Sequence, residues 1–387
     1  MDFLDKNICL ELRKVVNSSP IFYRDELEKA NYHLICAVMD RIDDSVKFLN
    51  QYDYTSQNAN DIMLFMIHSC SIVDAVKRLF AQLNINDKEK ETKKYFTDIY
   101  KNEPLSLNEN NYPTDIIFFE YLRALIFAHP FETSHANFLK DKNEIHYSPF
   151  LLTEDNNSQK ECIGIMVYSN RQTETITLYI PYDTLEAFIN SRYKMLILAK
   201  NELEKRIENK NEDWKKNKIN RNQSDILILQ EILNTLKERF KDTYDTEFLL
   251  NILKYKSENL KNMSSVQAIK DFIMSSVSEI CDGVDNLDYT KLSDIIDKII
   301  YAYPKHTYQM LNYEIGKIFS YLNDGINKID KQWGLTCAYN FSQQFAKKWV
   351  DIDIENMDYD EIKLLVITAC YLERQAEKEK EDNIEQN

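Results

Sequence analysis

A chain of 387 residues that contains Gly 5 and Pro 7 has few places where it can turn sharply. Tight turns rely on glycine for positive φ and on proline for a preset φ, so sheets joined by many short turns are disfavoured and long helices favoured. Hydrophobic residues at 44% and charged residues at 29% belong to a globular chain, and Tyr 24 and Phe 19 supply large core side chains. The net charge of −15 counts against a broad surface that coats nucleic acid, because phosphate contacts come from clustered Lys and Arg, yet it leaves room for a small basic cleft. The cysteines, at 9, 36, 70, 162, 281, 337 and 370, form no CxxC pair and no metal-like spacing, and read as reduced, buried thiols. The acidic opening MDFLDKNICLELRK is unlike a basic signal peptide, and no apolar run reaches membrane length. A soluble, cytoplasmic chain without a membrane partner is expected.

Helical spacing of apolar residues predicts a mainly all-α protein in two domains. The first, 1–210, is a helical bundle interrupted by a β-hairpin near 162–182. Its helices fall over 20–52 and 56–83, from Thr114, and from Asp183 to about Lys210, with a short, solvated helix over 88–101. CIGIMVYS (162–169) and ETITLYIPY (174–182) are the two β-branched, aromatic runs of the hairpin, joined by a link without glycine. A polar linker, 211–223, follows; Lys215, Lys216, Lys218 and Arg221 beside Trp214 form a local basic cluster there, either a solvated linker or a patch that contacts RNA. Residues 224–387 make a second helical domain that ends in a charged tail, and its glycines 316, 325 and 334 mark close packing or caps.

The stretch Tyr112–Ser134, YPTDIIFFEYLRALIFAHPFETS, sets one arginine, Arg123, into an apolar helix that ends at His129 before Pro130. A cation in so apolar a segment is costly unless it is paired or used. Pro130 disfavours helical geometry at the residue before it, so His129 falls at the helix C-terminus, where the negative end of the helix dipole favours imidazolium. In the preceding helix Asp74 either pairs with Arg78 one turn on or faces the cation across the bundle. Arg123 is correspondingly either a structural partner of Glu120 or Asp74, or a working cation. The types suit cleavage of RNA by its own 2′-hydroxyl: a histidine moves protons near neutrality, and a guanidinium is always charged and donates in a fork to phosphorane oxygens. No metal or other cofactor is required. Six residues of helix amount to about 9 Å of rise and roughly 120° of rotation, so one pair does not readily grip one phosphate. Either the chain unwinds at Pro130 or two chains build one site.

Arg123 and His129 enclose the five residues ALIFA, and this spacing resembles the arginine, four to six residues, histidine signature of the HEPN superfamily (higher eukaryotes and prokaryotes nucleotide-binding). The resemblance covers roughly the first 200 residues, with Asp74 as the acid in the preceding helix; the position after the arginine, often polar in that superfamily, is Ala124. It implies a metal-independent RNA endonuclease that acts as a homodimer through Arg123 and His129, with Asp74 orienting, in a toxin or antiviral abortive-infection role. The C-terminal domain would then sense a trigger, such as a regulatory or phage-derived protein, or hold the nuclease off. Glu132, Thr133 and Ser134 are placed either at the rim of the site, against substrate, or as caps for the next element. Other readings are a non-catalytic interaction protein whose acidic surface meets a basic partner, and a helical bundle that binds nucleotide without cleaving it. A metal site from His129, Glu132 and His135 is disfavoured, since the spacing is not HExxH and Pro130 keeps the histidines off one helical face.

Overall fold

Helices do make up most of the chain, as its scarcity of glycine predicts. The computed structural model describes residues 3–385, apart from 56–57, 103–104, 106, 109–110, 134–137, 154–158, 160 and 306–307. It divides into two compact units, Met1–Asn209 and Lys210–Asn387, each with its own core.

The first unit contains α1 (Lys6–Ser18), α2 (Ile21–Arg24), α3 (Lys29–Leu49), α4 (Ala59–Leu83), α5 (Thr97–Asn102) and α6 (Asp115–Arg123), then α7 (Tyr182–Lys194) and most of α8 (Leu196–Lys216). The helix expected over 20–52 is split, because Asp25 turns the chain out of α2 in an extended conformation before α3 begins. Residues 88–101 are not simply solvated: a 3-10 turn (Lys88–Glu91) and α5 flank Phe96, and Phe96 and Tyr100 are buried. Thr114 caps α6 through its hydroxyl, and Asp115 in the first turn accepts the backbone N–H groups of Lys94, Tyr95 and Phe96. That carboxylate ties the 88–101 segment to the start of α6. Phe188 of α7 packs against Phe96 and Phe119 at 5.2 and 5.0 Å between ring centroids, which joins these elements in one core.

The expected hairpin is present, and a strand not read from the sequence joins it. β1 (His146–Tyr147), β2 (Cys162–Ser169) and β3 (Ile176–Pro181) form an antiparallel sheet in that order. Cys162 pairs with Pro181 and Val167 with Ile176. The link after β2 dispenses with glycine because side chains supply the turn bonds. Ser169 Oγ accepts from the N–H groups of Arg171 and Gln172, and Asn170 bonds the backbone of Ile145 and Asn143.

The expected linker at 211–223 starts inside a helix, since α8 continues to Lys216. Lys215 and Lys216 pair with Glu212 and Asp213 one turn back, and Trp214 sits edge-on to Phe240. The second unit then holds α9 (Asp225–Glu238), α10 (Tyr244–Lys254), α11 (Leu260–Asn286), α12 (Thr290–Ile300), α13 (Leu311–Tyr321), α14 (Lys328–Gln344) and α15 (Tyr359–Glu385). The tail expected to fray beyond Gln375 is helical, and Lys305 and Arg374 both pair with Glu381. Gly334 lies where an added Cβ would stand 2.9 Å from Leu322, and Gly325 has φ +82, so these two glycines serve packing and turning. His306 lies outside the described residues.

Candidate active site

Arg123 ends α6, and the chain continues as a π turn, Ala124–Ala128, in which the N–H of His129 donates to the carbonyl of Ala124 five residues back. Such wide turns are rare and recur at functional sites. His129 then leaves the helix with φ −143, as Pro130 requires, and its side chain is exposed.

Arg123 is not sunk in the apolar segment that carries it. Leu122, Leu125 and Ile126 face the core, while the arginine side chain is 42% exposed. Its Nη1 stands 3.9 Å from Asp74 Oδ2, whose side chain is 54% exposed. That is within ion-pair range and beyond hydrogen-bonding range. Among the described residues no protein acceptor is bonded to this guanidinium, and its Nε is buried without a partner. Asp74 therefore faces the cation across the helix pair rather than Arg78 on its own helix, and Glu120 bonds Lys77 at 3.1 Å instead of Arg123. The Cys70 thiol beside them is pushed up to about 12 by burial, with Asp74 and Glu120 adding to the effect and Arg123 opposing it. It is a neutral, inert neighbour at neutral pH. Leu64 and Ile67 of α4, Ile117 of α6 and Phe131 after the turn are exposed apolar residues on the elements that carry these charges. Leu64, Ile67 and Asp74 share one face of α4 by their spacing.

The loop behind His129 is locked. Thr133 is buried, and its hydroxyl donates to the His129 carbonyl at 2.6 Å, so it caps the turn rather than lining a rim. Thr133 and His146 exchange backbone hydrogen bonds at 2.9 Å, and the Ser148 N–H donates to the Pro130 carbonyl at 2.7 Å. Glu132 is exposed; Ser134 and His135 lie outside the described residues. Among the described residues no cluster of three His, Cys, Asp or Glu side chains is arranged to hold a metal ion.

A buried polar chain that the sequence reading missed supports this lock. Tyr121, two residues before Arg123, meets His146 Nδ1 at 2.7 Å, and His146 Nε2 meets Glu144 Oε1 at 3.2 Å. Ser169 and Gln172 also donate to Glu144 Oε1. Burial pushes the Tyr121 hydroxyl up and His146 down, the latter against the opposing pull of Glu144. A neutral His146 that donates through Nε2 and accepts the Tyr121 hydroxyl at Nδ1 satisfies both contacts. The signal available in the sequence was the alternation Glu144-x-His146, which puts both side chains on one side of an extended segment.

The basic cluster at 215–221 has its charge answered locally. Besides the pairs of Lys215 and Lys216, Lys218 donates to the Asp285 carbonyl and Arg221 pairs with Asp282 and Asp285. His68, a bystander in α4, stacks on Phe48 at 4.2 Å.

Fold and site together define a mainly helical protein with a small antiparallel sheet bracing a π turn between an arginine and a histidine. Comparison with family models, curated proteins and solved structures finds no match to this chain.

Proposed function

We propose that the chain is a metal-independent RNA endonuclease of HEPN type that acts as a homodimer. The observation that carries this reading is the state of Arg123: a guanidinium held only loosely by Asp74, with its donors unbonded, one π turn before a histidine released from the helix. Arg192, by contrast, bonds both oxygens of Asp87 through its two Nη atoms, whereas those of Arg123 are left to meet an anion. In the reaction the 2′-oxygen of RNA bonds to the adjacent phosphorus and the bond to the 5′-oxygen breaks, leaving a cyclic phosphate. His129 moves the protons, one from the 2′-hydroxyl and one to the 5′-oxygen, with the second chain's His129 available for the other transfer. Arg123 stabilises the added charge on phosphorus, and Asp74 keeps the guanidinium aimed. The exposed apolar residues Ile67, two turns before Asp74 on its side of α4, and Phe131, two residues after His129, favour a second copy seated at the site. A toxin or antiviral role follows from the resemblance, with the second unit as sensor or restraint.

The test compares RNA breakdown in EDTA by the wild type, Arg123→Ala and His129→Ala. Loss of cleavage in both variants, with folding intact, is the expected result. An inert wild type, or variants that cut as well as it does, removes the nuclease reading.

A further inference from the structure

A second feature of the first unit answers a question raised by the charge of −15: how an acidic protein would hold a polyanion. A cleft of about 1040 Å³ opens where the C-terminal end of α4, the 88–95 segment and the junction of α7 with α8 meet. Four lysines line it, Lys88 and Lys94 on one wall and Lys194 and Lys205 on the other. Among the described residues none of the four has a carboxylate within 4 Å. Lys77 and Lys200 of the same unit are paired, while the four in the cleft share one concavity with their charge unanswered. Two acids share the lining, and one of them, Glu202, is held by Arg206. Between the cations lie Tyr95 and the exposed Ile197 and Leu198.

Lys194 and Lys205 are eleven residues apart on nearly continuous helix, about 16 Å. That separation is too long for both to grip one phosphate, and the cleft is at the upper limit of small-ligand sites. Cations spread along an open groove, with an aromatic ring and apolar side chains between them, match a strand that alternates phosphates and bases. We propose that this cleft binds single-stranded RNA, as a groove separate from the Arg123 centre. Asn84 at its edge is ten residues along α4 from Asp74, about 15 Å, a distance of a few nucleotides. The inference rests on the ribonuclease reading for the identity of the strand, and the experiment separates the two.

Binding of a fluorescent 2′-O-methyl RNA of about ten nucleotides to the full chain is followed by anisotropy across salt concentrations. That probe lacks the attacking hydroxyl, so binding is read without cleavage. Four phosphate contacts predict an affinity that falls about fifty-fold from 50 to 200 mM salt. Lys194→Glu/Lys205→Glu and Lys88→Glu/Lys94→Glu each weaken binding at least tenfold and lower the salt slope by about 1.4, whereas Lys215→Glu/Lys216→Glu changes neither. The two walls are altered separately, so a folding defect on one leaves the other to decide. Unchanged binding in a folded wall variant overturns the proposal, as does an equal loss in the Lys215/Lys216 control. It is also overturned if inorganic phosphate or polyglutamate displaces the strand as well as unlabelled RNA does. If the wild type binds the probe but leaves ordinary RNA intact, the nuclease reading fails while the groove stands. If it cuts RNA while the wall variants bind normally, the groove fails alone.

Discussion

Replacing Arg123 with alanine distinguishes a cation that holds the fold from one that holds a ligand. Its pairing with Asp74 spans 3.9 Å between side chains 42% and 54% exposed. Exposed pairs of this kind contribute on the order of 0–1 kcal/mol, less once salt screens them. Alanine also removes a buried Nε that has no acceptor, and this offsets part of the loss. The net change should stay within about 1 kcal/mol, which for a unit of 209 residues is a shift in Tm of about 2–4 °C. Arg192→Ala supplies the contrast. That guanidinium is almost fully buried and bonds both oxygens of Asp87, at 3.1 and 2.6 Å, so its loss should cost about 3–5 kcal/mol. Urea and thermal unfolding of the full chain, followed by circular dichroism, compares the two variants. If Arg123→Ala falls as far as Arg192→Ala, Arg123 is a structural residue and its openness to an anion has been misjudged.

Three further outcomes are expected. His146 is held below its ordinary value in the folded chain, mainly by burial, so the unfolded chain binds more protons; stability should be complete above about pH 6.5 and fall as pH drops below it, by at most about 1.4 kcal/mol per pH unit. Unfolding free energies of wild type and His146→Gln at several pH values check this, and an equal slope in both would refute it. In Gly164→Ala the new Cβ would stand 2.8 Å from Leu152, so a loss of about 1–3 kcal/mol should appear in urea unfolding. Thr133→Val removes the hydroxyl that holds the His129 carbonyl and should cost about 1 kcal/mol; on the nuclease reading it should lower kcat more than it raises KM in a cleavage assay.

Much of the helical architecture was legible because apolar periodicity is a local signal: α4 and α6 start within a few residues of where it placed them, and the chain after Ser224 is helical as it implied. The turn of the chain at His129 was legible for the same reason, since Pro130 acts on its immediate neighbour. Features that depend on contacts distant in sequence were not. β1 is two residues long and gains its meaning from Ser169 and Tyr168 across the sheet. The Tyr121–His146–Glu144 chain joins residues 25 apart. The exposure of Arg123 was misread, because an apolar run reports the average surroundings of a helix and not the side on which one residue emerges. Nor did sequence distinguish the lysines at 215 and 216, which are neutralised one turn away, from those of the cleft, which are not.

The π turn also separates two quantities that are easily treated as one. To come back to the same side of a helix, a π turn uses about one residue more than an α turn. Five intervening residues wound this way therefore bring His129 to about the position that four would reach in an unbroken α-helix. Loss of one residue from Ala124–Ala128, with the turn closing to ordinary α geometry, would leave the histidine nearly in place, whereas straightening the turn at its present length would swing His129 away by about 100°. For this pair the number of residues between arginine and histidine and the vector between them are set independently, and only the vector decides what the two side chains can reach together.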